Sequence, residues 1–275
     1  MNLDLTEVTD LGTSHEWHLR RATLADGRRV FVKQARRVID GLFAAEARGL
    51  RWLAESGACA PVPEVLAADD TTLVLPWIEA ARPTPEAAER FGRELAAVHG
   101  AGADSYGAPW PGYIAELPLD NAGGASWPEW YAERRLLPYL RISVDRGALS
   151  ARDAAEIERA AGHVADAAGP PEPPARIHGD LWSGNVLWGA DRAWLVDPAA
   201  HGGHRETDLA MLALFGAPGL DRIIAAYDEV SPLADGWRAR VPLHQLHPLL
   251  VHAALFGASY REQVLSAART VTRGR

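Results

Sequence analysis

The chain has 275 residues, with 36 acidic and 28 basic side chains and a formal net charge of −8. A protein of this size forms one large domain or two lobes. The acidic balance argues against nucleic-acid binding, which needs a basic patch, and the longest apolar runs are far short of the roughly 20 residues of a membrane span. The single cysteine, Cys59, excludes an intrachain disulfide. Residues 1–7 lack the basic and then apolar pattern of a signal peptide, so we expect a cytoplasmic protein.

The first elements that the sequence predicts are two strands joined by a tight turn. Residues 16–23 form a candidate strand, the Asp26-Gly27 pair favours a hairpin turn, and residues 29–33 form the return strand. Lys33 stands at the end of this second strand. A lysine there can pair with the α- and β-phosphates of a nucleotide, although an isolated strand lysine is more often solvated at a sheet edge.

The next segment, residues 41–55, has the periodicity of an amphipathic helix. Phe43 and Leu50 lie on its apolar face, and Glu46 borders that face. A carboxylate in this position is costly to bury unless it finds a cation, and Lys33 on the preceding strand is the natural partner. The pattern therefore predicts a Lys33–Glu46 ion pair, with a solvated Glu46 as the alternative.

A buried strand is predicted to follow at residues 72–79 and to run into a polar exit. Such an exit is the place of a hinge between two lobes, whose backbone can line the pocket of a nucleotide base. We therefore expect an N-terminal lobe over residues 1–79 and a C-terminal lobe over residues 80–275. The hinge residues expected at the nucleotide are Pro76, Trp77, Ile78 and Glu79.

The phosphate-binding loop gives the weakest signal of the predicted nucleotide site. Neither GxGxxG nor GxxxxGK[ST] occurs, which excludes a Walker-type NTPase and a typical Rossmann dinucleotide site. Only residues 11–14 can form a turn over the phosphates. Its donors would be the hydroxyl groups of Thr13 and Ser14 together with backbone amides.

Beyond the hinge the pattern becomes helical. Thr84 is a candidate N-cap for a helix over residues 85–100, with His99 near its end as a packing or capping residue. Residues 101–124 are rich in Gly, Pro and aromatic side chains and predict a long irregular segment of the kind that is commonly functional. Another helix is expected over residues 127–140.

The most informative motif is His178-Gly179-Asp180-Leu181-Trp182-Ser183-Gly184-Asn185, which is followed by Asp197-Pro198-Ala199. An Asp, an Asn five residues later and a second Asp twelve beyond that are the groups needed for phosphoryl transfer from ATP to an alcohol. Asp180 would accept the hydroxyl proton, and Asn185 and Asp197 would hold Mg²⁺. The simpler alternative is a turn at HGD with a helix cap at the later Asp.

Several neighbouring residues have structural alternatives to a functional role. Trp182 could pack the catalytic loop or form a wall against a sugar face. Glu206 and Asp208 precede or begin an apolar helix over residues 209–215, where carboxylates interact favourably with the helix dipole. Three further histidines predict no zinc site, since no nearby cysteine or acidic residue completes a ligand set. They are His244, His247 and His252.

Together with other matches along the chain, these motifs resemble the fructosamine kinase (ketosamine-3-kinase) family, in the aminoglycoside-phosphotransferase-like branch of the protein-kinase fold. The other matches are residues 30–33, 130–138, 206–211, 214–216 and 247–257. The resemblance implies a two-lobed α+β fold. Its small N-terminal lobe would be rich in β-strands with one inserted helix, and its larger C-terminal lobe would be mainly helical.

The resemblance also implies an activity, the phosphorylation by ATP and Mg²⁺ of the sugar 3-hydroxyl of a ketosamine, either a small molecule or borne by a protein. The unstable product would release the amine, which is a deglycation. His178 and Asp208 would support the catalytic loop, and His201 lies in a segment similar to one close to the acceptor. Residues 200–205 lack the aromatic side chains more typical of the family, which leaves the acceptor open.

Two alternative functions stay open at this point. One is a kinase for an aminoglycoside, a choline-like alcohol or another sugar. The other is a catalytically inactive nucleotide-binding protein, against which the retention of Lys33, Asp180, Asn185 and Asp197 weighs. No nucleic-acid or membrane partner is expected. The oligomeric state is open, with a monomer favoured.

Overall fold

The computed structural model describes residues 4–14, 16–57 and 59–273 of the chain. Residues 1–3, which open the segment considered above for a signal peptide, lie outside this description. Among the described residues, no helix is both long and apolar enough to cross a membrane.

The N-terminal part is an antiparallel sheet of five strands, which are β1 (Leu5–Ser14), β2 (Trp17–Leu24), β3 (Arg29–Ala35), β4 (Ala67–Ala68) and β5 (Thr72–Pro76). Their order across the sheet is β1-β2-β3-β5-β4. The predicted hairpin is confirmed, because the N–H of Leu24 donates to the carbonyl of Arg28 at 2.9 Å across the turn. The predicted helix is also present as α1 (Leu42–Ala54), between β3 and β4.

Residues 11–14 do not form the turn that the sequence predicts. They are the last residues of β1, and Thr13 and Ser14 pair with β2. Gly12 instead lies at a β-bulge, where its φ is +94°. Its N–H donates to the carboxylate of Asp10 at 2.8 Å. In β1 these residues use their backbone N–H and C=O groups to pair with β2. A free turn would have left the same groups available to a ligand, so the predicted turn is replaced by a strand.

One apolar core continues from α1 into the C-terminal part. Phe43 and Leu50 of α1 are buried in the same cluster as Phe91 of α2 (Pro85–Gly100) and Leu181 of the catalytic motif. Since both parts of the protein share this cluster, burial of apolar surface fixes α1 relative to the catalytic motif.

The C-terminal part is mainly helical. Its helices after α2 are α3 (Trp127–Tyr131), α4 (Leu137–Asp145), α5 (Ala151–Gly162), α6 (Val164–Ala167), α7 (Glu206–Phe215), α8 (Leu220–Val230), α9 (Trp237–Phe256) and α10 (Arg261–Arg273). Short strands pair as β6 (Gly112–Ile114) with β7 (Leu117–Leu119), β8 (Ala175–Ile177) with β11 (His201–Gly203), and β9 (Val186–Trp188) with β10 (Ala193–Leu195). This is the α+β arrangement that the sequence predicts.

Helix α2 begins where the sequence predicts it. The side chain of Thr84 accepts a hydrogen bond from the N–H of Ala87 at 3.2 Å, as an N-cap does. The segment after α2, predicted to be irregular over residues 101–124, contains the β6–β7 hairpin. Leu117 and Leu119 of this hairpin alternate with an exposed proline and enter the core, which gives the strand a buried face.

The helix predicted over residues 127–140 is interrupted by a π-helical turn at Ala132–Leu136. Pro138 has no N–H to donate to the carbonyl four residues before it, and this favours the wider turn. Within the turn, Arg135 points inward. Its guanidinium lies 4.1 Å above the ring of Trp130 and donates to Oδ1 of Asn121 at 2.9 Å.

We expect Gly92→Ala to destabilise the contact between α2 and α8. A Cβ at this position would lie 2.2 Å from the carbonyl oxygen of Ile223. The two helices would have to separate, at a cost of about 1–3 kcal/mol in the free energy of unfolding. Gly100→Ala in the same helix is the control, since a Cβ there meets no atom within 4 Å. Chemical denaturation that gave equal stabilities for the two variants would contradict the close contact.

Candidate active site

Two cavities of about 360 Å³ each meet in the cleft between the sheet and the helical part. The polar cavity is lined by residues that include Trp110, Tyr113, Asp180, Trp182 and Ala199. The apolar cavity is lined by residues that include Leu19, Phe31, Leu75, Pro76, Trp77, Ile78, Leu187 and Val196. Both are lined by Ser14, Trp17, Lys33, Glu46, Gly184, Asn185 and Asp197. The predicted phosphate and metal residues therefore lie at the junction of the two cavities.

The ammonium group of Lys33 connects the sheet, α1 and the catalytic part at this junction. Its Nζ donates to Oε2 of Glu46 at 2.9 Å and also to Oδ1 of Asp197. The ion pair that the sequence predicts between Lys33 and Glu46 is thus present, with both side chains buried. Burial lowers the pKa of Lys33, but the carboxylates of Asp197 and Glu46 outweigh it and raise the pKa above its ordinary value.

Asp197 has a left-handed backbone, with φ of +57°. Few residues other than glycine adopt this conformation, and aspartate is among those that tolerate it. Partial burial opposes ionisation of Asp197, but the Lys33 cation holds the pKa of this carboxyl below its ordinary value. Its side chain is still 48% exposed, so an ionised carboxylate faces the cleft.

Asp180 lies in the polar cavity on the loop between β8 and β9. The Nδ2 of Asn185 donates to the backbone carbonyl and to Oδ2 of Asp180, at 2.9 and 3.1 Å. Burial, and then the negative charge of Asp197, raise the pKa of Asp180 to about 7. A carboxylate whose pKa lies near the operating pH is suited to accept a proton from a hydroxyl group.

A buried carboxylate holds the catalytic loop from behind. Asp208, in the first turn of α7, accepts hydrogen bonds from the backbone N–H groups of His178 and Gly179 at 2.7 and 2.9 Å. His99 at the end of α2 donates through Nε2 to the same carboxylate at 3.1 Å. Its Nδ1 is hydrogen-bonded to the hydroxyl of Tyr227 on α8 at 2.8 Å. Three helices therefore fix the backbone that presents Asp180.

His178 connects this loop to the segment before Asp197. Its Nε2 donates to the carbonyl of Val196 at 2.9 Å, and its Nδ1 accepts from the N–H of Asp180 at 3.3 Å. Burial lowers the pKa of His178, so the ring is neutral and each nitrogen has one role. The imidazole thus positions the loop and does not reach the cavity.

Aromatic side chains form walls of the polar cavity. The indole of Trp182 folds back over Gly184, where a Cβ would lie only 2.2 Å from the ring. This close approach requires a glycine two residues after the tryptophan. Trp182 therefore packs the loop and faces the cavity at the same time. Trp110 and Tyr113 also line the cavity, and the Tyr113 hydroxyl donates to the carbonyl of Asp40 at 2.8 Å.

The predicted hinge and phosphate-loop residues lie in two different environments. Ser14, Pro76, Trp77 and Ile78 line the apolar cavity. Thr13 and Glu79 line neither cavity, because Thr13 is an exposed strand residue and Glu79 forms an ion pair with Arg29. Glu79 also accepts a hydrogen bond from Nε1 of Trp77 at 3.0 Å, so it orients a cavity residue from outside.

His201 is not at the position that the family resemblance implies. It is 3% exposed on β11, its Nδ1 donates to the carbonyl of Ala199 at 2.7 Å, and it lines neither cavity. A Cβ on Gly179 would lie 2.9 Å from its ring, so the imidazole sits behind the catalytic loop. Pairing of β11 with β8 places this residue next to Ile177 and turns it away from an acceptor.

Two contacts that fix α1 were not predicted. The ring of Trp52, near the end of α1, lies edge-on to Trp110 with centroids 5.7 Å apart. The guanidinium of Arg176 on β8 lies 4.4 Å above Trp52 and donates to its carbonyl. Nothing in the sequence distinguishes this tryptophan from other apolar helix residues.

The buried position of His99, by contrast, can be predicted from the sequence. His99 follows Phe91 by eight residues and so shares its buried helical face.

The histidines of the C-terminal part need one correction. His204, Glu206 and His244 bring ligand atoms within 4.8 Å of one another, so the expectation that no acidic residue lies near them is wrong. Folding brings α7 and α9 together although they are distant in sequence. However, Arg240 donates to both carboxylate oxygens of Glu206, at 2.9 and 2.5 Å. This cation already neutralises the carboxylate, so we interpret the cluster as a buried ion-pair network.

Asn185 and Asp197 fit a magnesium ion by their donor chemistry. Because the amide nitrogen of Asn185 is used by Asp180, its Oδ1 remains as the acceptor. Asp197 supplies an ionised carboxylate that is open to the cleft. Oxygen donors of this kind suit a hard divalent cation.

We expect Asp180→Asn to stabilise the metal-free protein at pH 8. The pKa of Asp180 is about 7 in the folded protein and close to 4 in an unfolded chain, so the folded state binds the proton more tightly. Above pH 7 the ionised carboxylate therefore costs folding free energy, and this cost shrinks as the pH falls towards 4. Thermal unfolding in EDTA at pH 8 should show a higher Tm for the variant, which corresponds to a free energy of unfolding larger by on the order of 1 kcal/mol or more. A difference independent of pH would contradict the raised pKa.

Comparisons with known proteins agree over nearly the whole chain. The family model described as fructosamine kinase matches residues 5–273. A probable ketoamine kinase of Thermus thermophilus is 38% identical over 234 residues, which cover 84% of this chain and 83% of that protein. The crystal structure of a candidate fructosamine-3-kinase from Thermobifida fusca is 58% identical with a TM-score of 0.95, and covers 98% of this chain and 95% of that one.

The fold itself extends to more distant proteins. An aminoglycoside phosphotransferase solved with AMP-PNP and hygromycin B has a TM-score of 0.65 at 17% identity, over 97% of this chain and 95% of that one. The predicted two-lobed, protein-kinase-like α+β fold is therefore confirmed. With its family model matched almost from end to end, the chain belongs to the fructosamine kinase family.

Proposed function

We propose that the protein transfers the γ-phosphoryl group of ATP to the 3-hydroxyl of a ketosamine. As a member of the fructosamine kinase family, it is a phosphotransferase that acts on a sugar hydroxyl. The observation that carries the proposal is the junction of the two cavities at Lys33, Asn185 and Asp197. Asp180 lines only the polar cavity, which is the side from which an acceptor hydroxyl would approach.

The apolar cavity suits the nucleotide. Phe31, Leu75 and Leu187 offer apolar surface for the base, and Lys33 would bind the phosphates at the junction. Lys33 would then exchange its contact with Asp197 for phosphate oxygens and keep its contact with Glu46. We also propose that the boundary between the two lobes follows residue 79, just after the hinge residues that line this cavity.

Asn185 and Asp197 would hold Mg²⁺, which supplies positive charge against the phosphate oxygens during transfer. Both side chains are already oriented by protein contacts. Asn185 is tied to Asp180, and Asp197 is held on a left-handed backbone next to Lys33. The protein therefore presents its oxygen donors without a large rearrangement.

Asp180 would act as the general base. Its carboxylate accepts the proton of the acceptor hydroxyl while that oxygen bonds to the γ-phosphorus, and the bond to the β,γ-bridging oxygen breaks to release ADP. Because Asn185 binds Oδ2 of Asp180, the other carboxylate oxygen is left to take the proton. Asp208 and His178 hold the loop in this position, as described above.

The polar cavity suits a cationic sugar adduct. Its lining includes the carboxylates of Glu46, Asp180 and Asp197 and the ammonium of Lys33, a balance that attracts a protonated amine. Trp182 adds a flat apolar face for the sugar. A ketosamine combines both features. Its 3-phosphate would be unstable and release the amine, so we propose deglycation as the role, in the cytoplasm, where ATP is available.

A coupled ADP-release assay distinguishes the proposed acceptor from the alternatives. We expect the wild type to phosphorylate fructoselysine in preference to kanamycin or choline. Asp180→Asn should lower kcat at least about 100-fold through loss of the general base, with ATP affinity close to that of the wild type. A preference for kanamycin or choline would exclude the ketosamine proposal, and unchanged turnover of the variant would remove Asp180 from the mechanism.

Trp182→Ala should reduce kcat/KM for fructoselysine by about 1–3 kcal/mol in transition-state free energy, because the variant lacks the apolar face for the sugar. Trp182→Phe is the matched control. It keeps an aromatic face above Gly184 and should recover most of the loss. ATP affinity should be the same in all three proteins. If both variants lose activity equally, the indole serves only to pack the loop.

A further inference from the structure

A continuous row of aromatic rings leads from the polar cavity onto the surface of the C-terminal part. We call it the aromatic strip, and it consists of Trp182, Phe215, His252, Phe256 and Tyr260. Ring centroids are 6.1 Å apart for Trp182 and Phe215, and 5.0 Å apart for Phe215 and His252. His252 lies 5.5 Å from Phe256 and 5.0 Å from Tyr260. The strip thus joins the catalytic loop to the ends of α7 and α9.

The exposed aromatic surface of the described residues is concentrated in this strip. Their exposed large hydrophobic side chains include three aromatic ones, which are Trp182, Phe215 and Phe256, at 39%, 38% and 50%. The other exposed ones are aliphatic and lie outside the strip. Single exposed apolar residues are ordinary, whereas a contiguous exposed group marks a binding surface.

The strip carries no net charge. The Nδ1 of His252 donates to the carbonyl of Pro248 at 2.7 Å, and burial lowers the pKa of this imidazole, so the ring is neutral. Arg261, which follows Tyr260, is held by Asp153 at 2.6 Å and also by Glu262. An occupant of the strip would therefore meet apolar ring faces, and its charged groups would be better placed in the polar cavity.

We propose that the aromatic strip binds apolar side chains next to the ketosamine on a polypeptide carrier. This inference rests on the proposed function. Trp182 belongs to both the polar cavity and the strip, so a sugar held at Asp180 would lead its carrier directly onto Phe215. In an extended chain, side chains on one face recur about every 7 Å, which is close to the spacing of the rings. Phe256 and Tyr260 lie beyond His252 at the far end of the strip, where a carrier longer than a single amino acid would meet them.

A second groove offers the carrier a competing route. It shares Trp110, Gly112 and Tyr113 with the polar cavity and continues past Pro138 and Arg141, with a volume of about 680 Å³. Its lining contains none of the exposed large hydrophobic side chains of the described residues. The strip therefore offers more exposed aromatic surface than this groove, and Arg141 provides a probe of the other route.

The test compares three acceptors: free fructoselysine, a short peptide with one fructoselysine and a phenylalanine two residues away, and the same peptide with serine in place of phenylalanine. The wild type should favour the phenylalanine peptide over the serine peptide by about 10-fold or more in kcat/KM, as expected for burial of a phenyl ring. The double variant Phe256→Ser, Tyr260→Ser should reduce this ratio to about 1 and leave free fructoselysine unaffected. Val230→Ser, at an exposed apolar residue of α8, is the control and should keep the ratio.

Three results would overturn the inference. They are a ratio of 1 in the wild type, a ratio unchanged by the double variant, and a ratio abolished by Arg141→Ala instead. If the double variant also slows free fructoselysine, the single variant Phe256→Ser takes its place in the same comparison. If sedimentation shows that the substitutions dissociate a dimer without changing the ratio, the strip is a self-association surface. A wild type inactive on all three acceptors defeats the proposed function, and this inference with it.

Discussion

The buried ammonium group of Lys33 is the interaction on which the cleft depends. It joins the sheet to α1 through Glu46 and to the catalytic part through Asp197. Without it, two carboxylates would face each other with no cation, and breaking a buried pair in this way typically costs about 3–5 kcal/mol. The rings of Trp17 and Phe43 lie 5.3 and 5.8 Å from its Nζ, and they strengthen these contacts by excluding water.

The parts of the structure that the sequence predicts have local signals. Thr84 caps α2 because an N-cap acts on backbone groups only a few residues away. Helix periodicity places Glu46 at the edge of an apolar face, and a carboxylate in that position predicts a nearby cation. The five-residue spacing of Asp180 and Asn185 likewise confines both side chains to one short loop, where Asn185 donates to Asp180.

Contacts between distant segments give no such signal. Asp208 reaches His99 only because α2, α7 and α8 pack together, and no single segment encodes that packing. His201 turns behind the catalytic loop because β11 pairs with β8, a ladder that its own sequence does not reveal. Glu206 on α7 contacts Arg240 and His244 on α9 because these two helices pack together. The separation of these residues in the sequence therefore does not show that a carboxylate lies near His244. Motifs therefore indicate Asp208 as a support of the loop, but they do not indicate its distant partner His99.

The charges of the cleft link Asp197 to the ionisation of Asp180. Burial and the charge of Asp197 raise the pKa values of both Asp180 and Glu46, although Lys33 opposes the shift. A cation held at Asp197 would offset the charge that acts on Asp180 and lower the pKa of Asp180. The base would then be ionised when the acceptor hydroxyl arrives. In the proposed mechanism, binding of the magnesium nucleotide would thus prepare Asp180 to accept the proton of the acceptor hydroxyl.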